Sequence, residues 1–251
     1  MKKQILLALT LLPAFSFAQS NQDIAPLVNQ EESIYHYQTR YPLRDPYKKL
    51  VDNKGNGFED LYGVRNFRAV LNGVVYRGGA NNVYNKNEKR SNSNPLPDGG
   101  LKNLCEEGFG TAIYLYDTNY KTAPKLTSCG SKLESSNALN YQQESVLLSE
   151  SSYRRVLSLI HKKLTVDADQ SPIYLHCWNG WHASGYISAL TLRQFCGYTG
   201  DQAVNYWNLN TDGNNKGSNY DRIRTKIRAF KPDANMTISQ SLKAKICPTS
   251  N

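Results

Sequence analysis

The sequence predicts an α/β fold: a mainly parallel central sheet with helices on both faces, preceded by an N-terminal arm. Three observations carry that prediction. "SPIYLHC" (171–177) is a short, largely apolar run fit for a buried parallel strand. It lies between two helix-like runs, "ESSYRRVLSLIHKKL" (150–164) and "SGYISALTLRQFCG" (184–197). Strand-like and helix-like segments also alternate from about residue 64 onward.

The chain opens with "MKKQ" and then "ILLALTLLPAFSF", an apolar run too short to span a bilayer, with Ser16 and Ala18 as a small-x-small cleavage site. Residues 1–18 are therefore expected to be a signal peptide, and the product periplasmic or secreted. No later run is long and apolar enough to predict a membrane span. Residues 19–63 are polar and broken by the prolines of "RYPLRDPYKK", which predicts an arm wrapped on a domain spanning 64–251.

In that domain, "AVLNGVVYRGG" reads as two strands turning at Asn72-Gly73. Residues 81–100, "NNVYNKNEKRSNSNPLPDGG", have almost no core-forming side chains and are expected to be a long surface loop, a candidate lid. "LKNLCEEGFG" follows as a short helix stopped by glycine, and "TAIYLYD" as a strand ending at Asp117. "LNYQQESVLLSE" reads as a loop. The next helix places Tyr153, Val156, Leu157, Ile160 and Leu164 on one face, with Lys162 and Lys163 at its end, as the helix dipole favours. After the "SPIYLHC" strand, the 184–197 run is apolar on several sides and is expected to be a central helix. Tyr220, Ile223, Ile227 and Phe230 mark one more helix, closed by Pro232.

Removing Lys2 and Lys3 with the signal peptide lowers the formal charge from +9 to +7. The basic side chains are scattered and no nucleic-acid motif accompanies them, so an anionic small molecule or phosphorylated substrate is expected rather than nucleic acid. All five cysteines follow residue 18 and so reach an oxidising compartment. Cys105 with Cys129 and Cys196 with Cys247 is the expected pairing, although sequence does not fix connectivity, and Cys177 is left as the free thiol.

Cys177 opens the stretch "HCWNGWHASG" (176–185) at the carboxyl end of its predicted strand, where ligands bind in such sheets. Backbone N–H groups of a strand-to-helix turn, with the positive end of the next helix, would make an anion cradle and favour a thiolate. Gly180 allows the tight curvature, and Ser184 can donate a hydrogen bond to the sulfur. Trp178 and Trp181 suggest an aromatic wall for a planar or sugar-like ligand, with Asn179 and His182 as polar contacts.

This stretch resembles the signature loop of the cysteine-dependent protein phosphatases of the dual-specificity and tyrosine type, written H-C-x-x-G-x-x-R-[ST]-G. His176, Cys177, Gly180, Ser184 and Gly185 match, and Ala183 stands in the arginine slot. The likeness extends more loosely over residues 64–230, and only the loop is specific. It implies that Cys177 attacks phosphorus to form a thiophosphate, that His176 holds the thiolate, and that Ser184 eases its release. The arginine of that family grips two phosphate oxygens, which an alanine methyl cannot do. His182 or Arg77 of "YRGG" can lend charge without restoring the fork. Asp117 is the best candidate for the family's general acid; Asp167 and Asp169 approach from the wrong end of the strand.

Other chemistries fit less well. His176, Cys177 and His182 lack a fourth zinc ligand, "DGNNKGSN" (212–219) carries Ile223 where a calcium loop needs an acid, and "GWHASG" has His182 where a nucleophile elbow needs glycine. No cofactor is implied. Two readings follow: an exported phosphatase-like hydrolase working through Cys177, or a catalytically silent pseudophosphatase that binds an anion or glycan.

Overall fold

The computed structural model describes residues 25–81, 95–130, 138–166 and 169–248, with side chains from Gln30 onward. The expected signal peptide, most of the expected surface loop and Asp167 lie outside the described residues. The protein is an α/β fold built on one six-stranded mixed sheet. Its strands are β1 (Val64–Leu71), β2 (Val75–Ala80), β3 (Thr111–Tyr114), β4 (Leu126–Ser128), β5 (Ala138–Gln143) and β6 (Ile173–Cys177). They lie in the order β1-β2-β6-β3-β5-β4. The four central strands run parallel, and β1 and β4 close the two edges antiparallel.

Alternation along β6 divides the core in two. Ile173, Leu175 and Cys177 face one layer together with α3 (Glu150–Thr165), α4 (His182–Cys196) and α5 (Gly200–Leu209). Tyr174 faces the other layer, with α2 (Asp98–Glu106) and side chains from the end of α1 (Ala25–Arg40). Val156, Leu157, Ile160 and Leu164 are the buried stripe of α3, as their spacing predicts. α4 is buried nearly all round and stops at Gly197, whose φ of 74° is left-handed. α6 (Asp221–Ala229) and α7 (Gln240–Ile246) complete the helical layers.

Several elements depart from the expectation. Residues 25–40 are helical, and Tyr37, Tyr41, Leu43 and Val51 are buried against the sheet. The segment expected as a loop from Leu139 begins with strand β5, because Leu139 and Tyr141 alternate inward between exposed or half-buried amides. β3 ends at Tyr114 rather than at Asp117; the chain bends after Leu115, whose N–H still bonds His176 O at 2.9 Å. α5 starts in a capping box between Thr199 and Gln202, which the sequence reading passed over.

The expected disulfides are both present, Cys105–Cys129 and Cys196–Cys247, with Cys177 free and buried. Such bridges fit an oxidising compartment. Among the described residues no helix is long and apolar enough to cross a membrane.

Candidate active site

Cys177 is the last residue of β6, held between Gly79 of β2 and the parallel β3, with 1% of its surface exposed. Its Sγ lies 3.4 Å from Ser184 Oγ in the first turn of α4. The turn between them is fixed through its carbonyls. Trp178 O accepts from Ala80 N and from Arg65 Nε, both at 3.0 Å, and Asn179 O accepts from Asn66 Nδ2 at 2.6 Å. Gly180 O accepts from Arg77 Nη2, which also reaches Trp181 O at 3.3 Å. Trp207 Nε1 donates to His182 O at 3.2 Å.

A trans peptide carries its C=O and N–H on opposite sides. Carbonyls turned outward to β1 and β2 therefore leave the N–H groups turned the other way. From Asn179 to Ser184 those N–H groups donate to no described residue. At Gly180, φ is +75°, a conformation that L side chains avoid, and Gly185 packs where a β-carbon would meet Trp207 Cδ1 at 3.0 Å.

The remaining predicted residues are distributed around this turn. His176 points to the opposite face of the sheet, stacked among Tyr114, Tyr141 and Tyr174. Burial lowers its pKa to about 3, so the imidazole is neutral. Its Nε2 accepts from Tyr141 OH at 2.9 Å, leaving Nδ1–H directed at Cys177 O, 3.3 Å away. His176 thus meets Cys177 through the backbone, not the sulfur. Trp178 is half-buried, its Nε1 donating to Tyr114 OH at 3.1 Å. Asn179 receives Arg65 on its side-chain oxygen.

Asp117 is exposed in the bend after β3, on the same rim as Cys177, and its charge acts on the Tyr114 hydroxyl. Ala183 has no exposed surface and belongs to the helical-side core. An arginine side chain in that slot would begin within packed core. Arg77 sets its guanidinium against the loop carbonyls of Gly180 and Trp181 and also reaches Ser184 Oγ at 3.3 Å.

Sequence reasoning missed Asp212 and Tyr116. Asp212, in the loop after α5, accepts from Trp181 Nε1 at 3.0 Å and pairs with Lys49 at 2.7 Å and the buried Arg68 at 3.4 Å. Burial opposes the charge at Asp212, but bonds from Lys49 and Trp181 and the charges of Lys49 and Arg68 hold its carboxyl below the usual range. Two residues on, the Asn214 carbonyl meets His182 Nε2 at 2.6 Å. The same "DGNNKGSN" segment, set aside as a poor calcium loop, thus clasps the Cys177 turn. An Asp-Gly pair straight after a helical run was its only signal. Tyr116 packs tilted against Trp178 with ring centroids 5.2 Å apart, and burial followed by the influence of Cys177 keeps its hydroxyl protonated.

Among the described residues, no group of three or more His, Cys, Asp or Glu side chains is arranged to hold a metal ion. No protein-family model matches the chain, and no curated protein matches it either.

Proposed function

We propose that this protein is an exported, cysteine-dependent phosphatase-like hydrolase that acts on a phosphate monoester or related anion through Cys177. The observation that carries the reading is the Cys177 Sγ to Ser184 Oγ approach of 3.4 Å beside a turn with outward carbonyls and inward N–H groups. A phosphate seated on those N–H groups would present phosphorus to the sulfur. The thiolate attacks, a P–S bond forms, and the P–O ester bond breaks. The leaving alkoxide takes its proton from Asp117. Water then attacks phosphorus and gives a proton to the Asp117 carboxylate, the P–S bond breaks, and inorganic phosphate and the thiolate are released, with Ser184 donating a hydrogen bond to the departing sulfur. Trp178, Asn179, Trp181 and His182 line the approach and bear on the organic part of the substrate.

Without a loop arginine, transition-state charge rests on backbone donors alone. Absence of one such contact costs on the order of 3 kcal/mol, roughly a hundredfold in rate, so slow turnover is expected. A second reading has its own support: Ala183 is buried and Arg77 is engaged by loop carbonyls and by the Tyr206 and Ser184 hydroxyls, which suits a pseudophosphatase that binds an anion or glycan without turnover. The purified protein and its Cys177→Ser variant, compared on an aryl phosphate and a panel of phospho-sugars and phosphopeptides, decide between them. Activity lost in the variant supports the hydrolase. Equal background rates overturn it in favour of the binding module.

A further inference from the structure

Arg77 is a fully buried cation with no carboxylate of a described residue beside it. Its partners are neutral: the carbonyls of Gly180 and Trp181, Tyr206 OH at 3.4 Å and Ser184 Oγ at 3.3 Å. Its Nε meets no hydrogen-bond partner among the described residues. A guanidinium removed from water is expected to face a negative charge. The tyrosines within reach of the sulfur's charge, Tyr114, Tyr116 and Tyr174, cannot supply it, because burial above all keeps each one protonated.

The direction of the hydrogen bonds narrows the choice. Guanidinium has donors only. Ser184 Oγ must therefore accept from Arg77, and its own hydrogen is left to point elsewhere. Cys177 Sγ, 3.4 Å away, is within its reach. A sulfur that receives this hydrogen bond is favoured as the thiolate.

We infer that Arg77 is a positioning residue for Cys177, acting from the neighbouring strand by fixing the Ser184 hydroxyl as a donor to the sulfur. The inference rests on the reading of Cys177 as the working thiolate, but not on turnover. It assigns the strand arginine a task on the sulfur, separate from the phosphate grip that the missing loop arginine would perform.

The test measures thiolate directly in the purified full chain, as ultraviolet thiolate absorbance at neutral pH relative to Cys177→Ser. Ser184→Ala and Arg77→Met are each expected to move the thiol–thiolate equilibrium constant roughly tenfold toward thiol, the scale of one charge-assisted bond. The double variant should lose less than the product of the two single losses, because both act on one bond, and Arg77→Lys should recover part of the signal. An unchanged signal in Arg77→Met, or a full product in the double variant, overturns the inference. Should circular dichroism show Arg77→Met unfolded, Ser184→Ala and Arg77→Lys decide. An unchanged signal in Ser184→Ala, or a loss in Arg77→Lys as deep as with no arginine bond, then overturns it. Absence of aryl phosphate turnover with the thiolate pattern intact would remove the hydrolase reading alone.

Discussion

Gly79 and Gly180 meet backbone to backbone: a β-carbon on Gly79 would stand 2.7 Å from Gly180 N, and one on Gly180 would stand 2.8 Å from Gly79 N. Neither contact can be relieved by rotating a side chain, so an added methyl must move β2 or the Cys177 turn. Gly79→Ala is expected to lower stability by roughly 1–3 kcal/mol through overpacking and to weaken any turnover through Cys177 more than tenfold. Gly180→Ala adds left-handed strain to the same clash and should be the worse of the two. Urea melts and aryl phosphate rates on both variants check the order.

The neutral, buried His176 makes the fold acid-sensitive. Burial lowers its folded pKa to about 3 from the usual 6.5, so the unfolded chain binds the extra proton between those values. Stability is therefore full above pH 6.5 and is lost as pH falls toward 3. The slope is at most about 1.4 kcal/mol per pH unit, or on the order of 2 kcal/mol between neutrality and pH 5. His176→Gln should start less stable and show a flatter dependence. His182, which burial also shifts downward, contributes in the same direction, so His182→Gln serves as the control. Equal slopes in wild type and His176→Gln would contradict this account.

Asp212 ties three separate parts of the chain together: Lys49 before the first strand, Arg68 on β1 and Trp181 in the turn. Removing it strands Arg68, whose pKa burial and the nearby Arg77 already lower to about 10. Asp212→Ala should cost roughly 1–3 kcal/mol, less than a fully buried pair because its carboxylate is partly wet, and should change the tryptophan emission. Lys49→Ala removes only the half-exposed partner and should cost under about 1 kcal/mol. Denaturant titration followed by fluorescence separates the two.

Ala183→Arg distinguishes a phosphatase loop that lacks one part from a loop rebuilt around alanine. The alanine is sealed in the helical-side core. The substitution is therefore expected to lower the melting midpoint, with a cost of roughly 1–3 kcal/mol from overpacking, and to leave aryl phosphate turnover flat. A gain in turnover that also requires Cys177 would show that the guanidinium finds a way out to the cradle.

The parts legible in the sequence are those where burial follows a simple period. β6 and α4 stand out because both faces of each are covered, so apolar residues run almost without interruption. The cysteine pairing was open to inference because "HCW" set Cys177 apart and the other four cysteines paired most simply with their neighbours. β5 was hidden by composition: in "ALNYQQ" only Leu139 and Tyr141 are fully inward, and the amides between them read as loop. α1 was hidden in the same way, since Ile34, Tyr37 and Tyr41 keep helical spacing among glutamines and glutamates. At the site, the residue types in "HCWNGWHASG" marked a glycine-containing turn between strand and helix that leads from Cys177 to Ser184. The polar scaffold behind it, from Arg65 and Asn66 to Asp212, could not be read, because long-range hydrogen bonds leave no periodic trace in a sequence.

α1 and α7 lie side by side: Gln38 Nε2 donates to Lys245 O at 2.9 Å, Lys245 pairs with Glu31, and Asn72 N bonds Ile246 O at 2.7 Å. This seam runs past the β1–β2 turn, at the end of β2 remote from Cys177, and Cys247 is bolted to the tail of α4 by its disulfide. The first and last helices of the described chain are thus neighbours on the rim that faces away from the Cys177 turn. A tether, surface linkage or circular permutation made there would hold the molecule from the end of the sheet opposite the Cys177 turn and leave that turn unobstructed.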